Sequence, residues 1–223
     1  MAEVADRGVW LGPESVAAQR ADLAAFVERA GRLDAAAVIR LRARSASQFT
    51  AWASTGLDVL ASRVIAGIVR PDDLSVGADE LGRGLATMDP SGYVDPGFPM
   101  DSAWRGALPP DAGFTHLDDV PARLMLDLAQ RGSELAKEHA GAQGPPVSLL
   151  DQEVIRVSAA GESVGVPMRC VFALTAMGFL PPEADAVDSD EVVRVRTLRA
   201  WLRIDARFGS VYRRRGDPAV VLR

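Results

Sequence analysis

Lysine is almost missing from this 223-residue chain: Lys137 stands alone, and arginine supplies the rest of the 25 basic residues. Such usage looks like the coding bias of a high-GC genome, so arginine richness alone argues for no partner. Cysteine occurs once, at Cys170, which excludes an internal disulfide, a CxxC pair and a Cys/His zinc cluster and leads us to expect a reducing cytoplasm. Histidine occurs twice, at His116 and His139, at the two ends of a predicted helix. At 1.5 Å rise per residue they stand about 30 Å apart, too far to share a metal. No apolar run approaches the roughly 18 residues that span a bilayer, and the longest, residues 64–69, has the length of a strand. No membrane partner is expected, and Met1 to Asp6 carries Glu3 and Asp6 where a secretory signal has a basic start.

The motif inventory is short in the same way. GxxxxGK[ST] does not occur, Gly82-Arg83-Gly84 lacks the preceding strand and third glycine of a dinucleotide site, and there is no GxSxG elbow. We therefore expect no cofactor, no metal site and no catalytic residue. Adjacent acids at Asp72-Asp73 read as a turn and at Asp118-Asp119 as a helix cap. The run Glu183, Asp185, Asp188, Asp190, Glu191 reads as a solvated loop.

What is present is the composition of an ordinary globular protein, 48% hydrophobic and 25% charged, with an uneven charge map. Residues 192–223 hold nine arginines against Asp205 and Asp217, so the net charge of −5 hides a basic C-terminal segment on an acidic body.

Gly12-Pro13 opens an amphipathic helix with Val16, Leu23, Phe26, Val27 and Ala30 on one face, closed by Gly31. At residues 37–44 the period changes to two, a strand with Arg40, Arg42 and Arg44 on its outer face. Strands over 49–55 and 59–69 follow, the second apolar on both faces and hence central in a sheet, and then a short helix over 79–88 weakened by Gly82 and Gly84. Residues 89–115 break all periodicity, with five prolines over 90–110. Because Tyr93, Phe98, Trp104 and Phe114 sit there, this segment reads as a strap packed on the fold. The second half predicts a helix over 119–139 with Val120, Leu124, Leu128, Leu135 and His139 as its core stripe. A hairpin over 153–166 and a buried helix over 167–177 capped by Gly178 come next. Residues 192–208 read as a strand with a bulge near Thr197, turning at Gly209-Ser210 into a last strand over 211–215.

The expected fold class is α+β: two α/β halves, each a mainly antiparallel sheet covered by helices, over residues 1–89 and 118–223, with the strap at 90–117 between them. A weak internal duplication is suggested by an echo. Val64-Ile65, Ser75-Val76-Gly77 and Leu85-Ala86-Thr87-Met88 are answered by Val154-Ile155, Ser163-Val164-Gly165 and Leu174-Thr175-Ala176-Met177. The patterns Ala-Val-Ile-Arg-Leu-Arg at 37–42, Asp58-Val59-Leu60-Ala61-Ser62-Arg63-Val64 and Ser75-Val76-Gly77-Ala78-Asp79-Glu80-Leu81 resemble uncharacterised conserved proteins of high-GC Gram-positive bacteria. That resemblance implies lineage and compartment, and no activity. The N-terminal order of helix, three or four strands and helix is also similar to one domain of a DNA sliding clamp.

One feature rises above background. With strict alternation over 198–208, Arg199, Arg203 and Arg207 would line one strand face around Trp201, with Arg213 after the turn. These five residues are the candidate anion or partner site. The leading expectation is a non-enzymatic cytoplasmic binding or scaffolding module with an unknown protein partner or self-association. The alternative is arginine-mediated binding of an anionic partner or nucleic acid through these strands. A third is an enzyme with a site in a cleft between the halves.

Overall fold

A computed structural model describes residues 7–12, 16–138, 145–159, 161–181 and 187–216. It divides into two compact units, unit 1 of Met1–Gly56 with Ser62–Ala107 and unit 2 of Leu57–Ala61 with Leu108–Arg223. Each is a mainly antiparallel sheet with helices, the α+β class expected.

Unit 1 runs β1 (Gly8–Leu11), α1 (Val16–Leu33), β2 (Val38–Ser45), β3 (Gln48–Ser54), β4 (Leu60–Arg70), β5 (Asp73–Gly77), α2 (Ala78–Ala86) and β6 (Tyr93–Val94). Its strands lie in the order β5-β2-β3-β4, with β1 pairing antiparallel to both β4 and β6. Leu23, Phe26, Val27 and Ala30 of α1 are buried at the helical spacing that predicted them. They meet Ile39 and Leu41 of β2, Phe49 and Ala51 of β3 and Leu81 and Leu85 of α2 in one core. β4 is interior in the sheet as expected, but Val64 and Ile68 are exposed, so only one of its faces is covered. Gly84 weakens α2 for a reason: a Cβ there would sit 1.9 Å from the Asp95 carbonyl, so the helix accepts glycine in order to let this chain segment cross it.

The strap aromatics divide. Tyr93 tilts against Trp10 at 5.3 Å and Trp104 lies 5.8 Å beneath the Arg40 guanidinium, but Phe98 is 78% exposed, which corrects the expectation that it packs. Its neighbours decide this. Gly97, at φ 82°, abuts Glu80 and Pro99 bridges to Val76, and the bend between these two anchors leaves the Phe98 side chain outside.

Unit 2 runs β7 (Thr115–Pro121), α3 (Ala122–Glu138), α4 (Val147–Asp151), β8 (Glu153–Ala159), β9 (Glu162–Pro167), α5 (Met168–Ala176), β10 (Val192–Leu198), β11 (Trp201–Ala206) and β12 (Gly209–Arg214). Its main sheet has the order β12-β11-β10-β7, and β8-β9 is the separate hairpin predicted from sequence. The helix α5 ends in a Schellman motif, with Gly178 N donating to Thr175 O and Phe179 N to Leu174 O, and Phe179 is buried beneath it. The echo segments follow the succession strand, strand, helix in both units, but β8 pairs with β9 whereas β5 pairs with β2 and not with β4.

Three expectations fail in unit 2. Asp118, Asp119 and Val120 belong to strand β7, where Asp119 stands opposite Arg194, and the helix starts only after Pro121. The buried face of α3 is Ala122, Met125, Ala129, Gly132 and Ala136, while Leu124 is 40% and Leu135 44% exposed. Close packing selects the small residues, since a Cβ on Gly132 would meet Met168 Cε of α5 at 2.7 Å. His139, assigned to the same stripe, lies outside the described residues. The third failure is the segment 192–208, which is two strands, β10 and β11, joined by the turn Arg199-Ala200. Two turn residues, and not a bulge, shift the inward parity from Val193 and Val195 to Leu202 and Ile204. The actual register shift falls between Val195 and Arg196, where β10 meets β7. A second turn at Arg207-Phe208 leads into β12, so Gly209 and Ser210 are strand residues.

Candidate functional site

The hairpin geometry dissolves the expected ladder. Arg203 alone of the three stays on a strand face, while Arg199 and Arg207 occupy the turns at either end of β11, Arg199 with φ of 41°. Arg213 points to the side of β12 opposite Tyr212 and Arg214, because successive strand residues alternate. The five candidates are therefore not one site.

Each enters a local arrangement. Arg203 lies 5.6 Å from the Phe114 ring and 5.4 Å from the Tyr212 ring, and its Nε donates to Asp205 Oδ1 at 2.6 Å. Ser210 Oγ donates to the same oxygen, and Arg196 Nε stands 3.2 Å from Asp205 Oδ2. Arg207 reaches Glu191 Oε2 at 3.5 Å; Asp188 and Asp190 are exposed, and Glu183 and Asp185 lie outside the described residues. Arg213 donates to Asp151 Oδ1 at 3.0 Å and stands 3.9 Å from Asp58.

That last cluster holds a second arginine that carried no signal in the sequence. Arg169, buried in α5, donates from Nη1 to Leu57 O at 2.7 Å and from Nη2 to Asp151 Oδ1 at 2.6 Å. Two guanidiniums thus share one carboxylate, which satisfies a charge that burial would otherwise penalise. Beside them burial pushes the Cys170 thiol up to about 12, with Arg213 and Arg169 opposing the shift, so the sulfur is held as a neutral thiol. In unit 1 the Arg40 guanidinium is held charged by its paired bonds to Asp73 at 2.7 and 2.6 Å.

The residues that do converge were visible only once the register was known. Cross-strand partners in an antiparallel pair point to one side. Leu198, Trp201 and Arg214 form one row across β10, β11 and β12; Arg196, Arg203 and Tyr212 form the next, and Arg194, Asp205 and Ser210 the third. The opposite side carries buried Val195, Leu202, Ile204 and Val211.

Against solved structures, the chain matches the sliding clamp from Bartonella birtlesii bound to griselimycin at 12% identity and TM-score 0.54, over 96% of this chain and 65% of that one. It matches the DNA polymerase sliding clamp from Caulobacter crescentus at 11% identity and TM-score 0.53, over 97% and 69%. It matches the DNA polymerase III subunit beta from Pseudomonas aeruginosa at 13% and 0.53, over 89% and 63%. The fold of the chain resembles that of sliding clamps. It spans about two thirds of the length of such clamp chains. Residues 13–106 match the family model DUF8010 and residues 109–218 the family model DUF8185, both domains of unknown function. No curated protein sequence matches the chain. The three rows of side chains lie on unit 2's sheet, on the side opposite Val195, Leu202, Ile204 and Val211.

Proposed function

We propose that this chain is a non-enzymatic binding or scaffolding module of the cytoplasm, holding a protein partner or a second copy of itself. The observation that carries this reading is the fold, which is similar to that of proteins named as sliding clamps and as a DNA polymerase subunit, members of an assembly. The chemistry of the polar groups supports it. Asp73, Asp151 and Asp205 are each hydrogen-bonded to an arginine, and the lone thiol is buried and held protonated, an arrangement that supports a structural role for these groups. The single buried cysteine supports a reducing compartment, and the arginine bias supports a high-GC Gram-positive origin.

A nucleic-acid role is the second reading, favoured by exposed Arg194, Arg199 and Arg214 in unit 2. The helices do not extend it. Three basic residues stand with two acidic ones on α1, one with two on α2 and three with three on α3, so these three helices together carry no net positive charge for a phosphate backbone.

The test is capture and reconstitution. The full chain is crosslinked in its own cell extract through carboxylates, since Lys137 is the one lysine, and the captured protein is purified and mixed with the chain. The expected result is a stoichiometric complex at micromolar concentration, or a reversible homodimer. The reading fails if no captured protein re-forms a complex from pure components and the chain alone stays monomeric at about 100 μM.

A further inference from the structure

The face of unit 2's sheet built by β10, β11 and β12 combines an apolar centre with a positive rim. Leu198 and Trp201 are half-buried neighbours in one row, and Phe114 packs edge-on to Tyr212 at 6.0 Å beside them, with the Arg203 guanidinium over both rings. Around them stand four arginines, Arg194, Arg196, Arg203 and Arg214, against one acid of the same three strands, Asp205. Asp205 is fully used, by Arg203, Arg196 and Ser210. Arg194 and Arg214 are exposed and make no ion pair among the described residues, and on the neighbouring strand Asp119 and His116 stand opposite Arg194 and Arg196. Aromatic residues and arginine around a desolvated centre are the composition of an interface hot spot.

We propose that this face docks a short acidic segment of a protein partner, its apolar residue seated on Trp201 and Leu198 and its carboxylates on Arg194 and Arg214. The proposal rests on the binding-module reading above and names its surface. Charge selects the occupant. The face is positive on a chain of net −5, so an acidic segment short enough to stay on it gains the local attraction. A long polyanion would run beyond it onto an acidic body, at distances where the repulsion is still felt within a Debye length of about 8–10 Å.

The test uses the full chain and a fluorescein-labelled peptide of about twelve residues repeating Glu-Leu-Asp, read by anisotropy. A Gln-Leu-Asn repeat and a labelled oligothymidylate of about 20 nucleotides serve as comparators. The acidic peptide is expected to bind saturably, more weakly as salt rises. The Arg194→Gln/Arg214→Gln double variant is expected to weaken it about tenfold, and Trp201→Ala comparably. Because both arginines are exposed, the double variant keeps its fold, which circular dichroism verifies. Arg131→Gln, an exposed arginine of α3, should leave binding unchanged. The proposal is overturned if the acidic peptide shows no saturable binding below about 1 mM, if it binds no better than the neutral repeat, or if Arg131→Gln weakens it equally. It is likewise overturned if the oligonucleotide binds more tightly and is the ligand lost in the double variant. A captured partner that still binds the double variant at full strength would sink this surface while leaving the binding-module reading standing.

Discussion

Cys170 shows how far one residue's surroundings set its chemistry. The thiol ionises at its ordinary 9.0 in the unfolded chain and at about 12 in the folded one. The folded state therefore keeps a proton that the unfolded state sheds. Stability from this group is complete below pH 9 and is lost as pH rises toward 12, at about 1.4 kcal/mol per pH unit. Urea unfolding of the parent should show this decline between pH 9 and 11, and Cys170→Ala should flatten it at a cost of about 1 kcal/mol at neutral pH. The inert thiol was legible in the sequence, since Val171, Phe172, Ala173 and Leu174 make its helix apolar. Its charged neighbour Arg169 was not, because a buried arginine is recognised only when the partners that satisfy it, Asp151 and Leu57, are brought near by the fold.

Elements were read well where the chain punctuates itself. The helix α1 was placed by periodicity and α5 by its apolar composition and Gly178, β2 by alternation and the β8-β9 hairpin by its turn at Gly161. The β10-β11 hairpin went unseen because Arg199-Ala200 carries neither glycine nor asparagine, so an apolar pattern of correct period but shifted phase passed as one strand. With it went the proposed docking face, which depends on the pairing of Trp201 with Leu198 and Arg214. The turn holds arginine at φ of 41°, where a side chain is strained. Arg199→Gly should stabilise the protein by about 0.5–1 kcal/mol, seen as a higher urea midpoint with an unchanged slope. A lower midpoint would mean that the Arg199 side chain contributes more than its backbone costs.

At the scale of the molecule, unit 2 is discontinuous in sequence, taking in Leu57–Ala61 ahead of Leu108–Arg223. Arg169 is the bolt, bonded to Leu57 O on one side and Asp151 on the other. Arg169→Met leaves both acceptors without that donor and should cost about 2–4 kcal/mol, measurable as a drop in Tm by calorimetry. The sheet edges of the two units are both blunted. Met100 N bonds Ser75 O alongside β5, and β7 carries Asp118, Asp119 and Pro121 with a register shift against β10. Replacing Asp118 and Asp119 by Thr together with Pro121→Val should produce concentration-dependent association in sedimentation velocity. A variant that stays monomeric would place the protection elsewhere.

The chain's four tryptophans are Trp10, Trp52 and Trp104 in unit 1 and Trp201 in unit 2. Trp52 is buried and Trp201 half-buried, so the two should emit at different wavelengths. With the three indoles of unit 1 changed to Phe, the remaining emission comes from the centre of the proposed docking face alone. The molecule thus carries its own optical reporter for occupancy of that face, and quenching by iodide or acrylamide would read a bound segment directly, without any label on either partner.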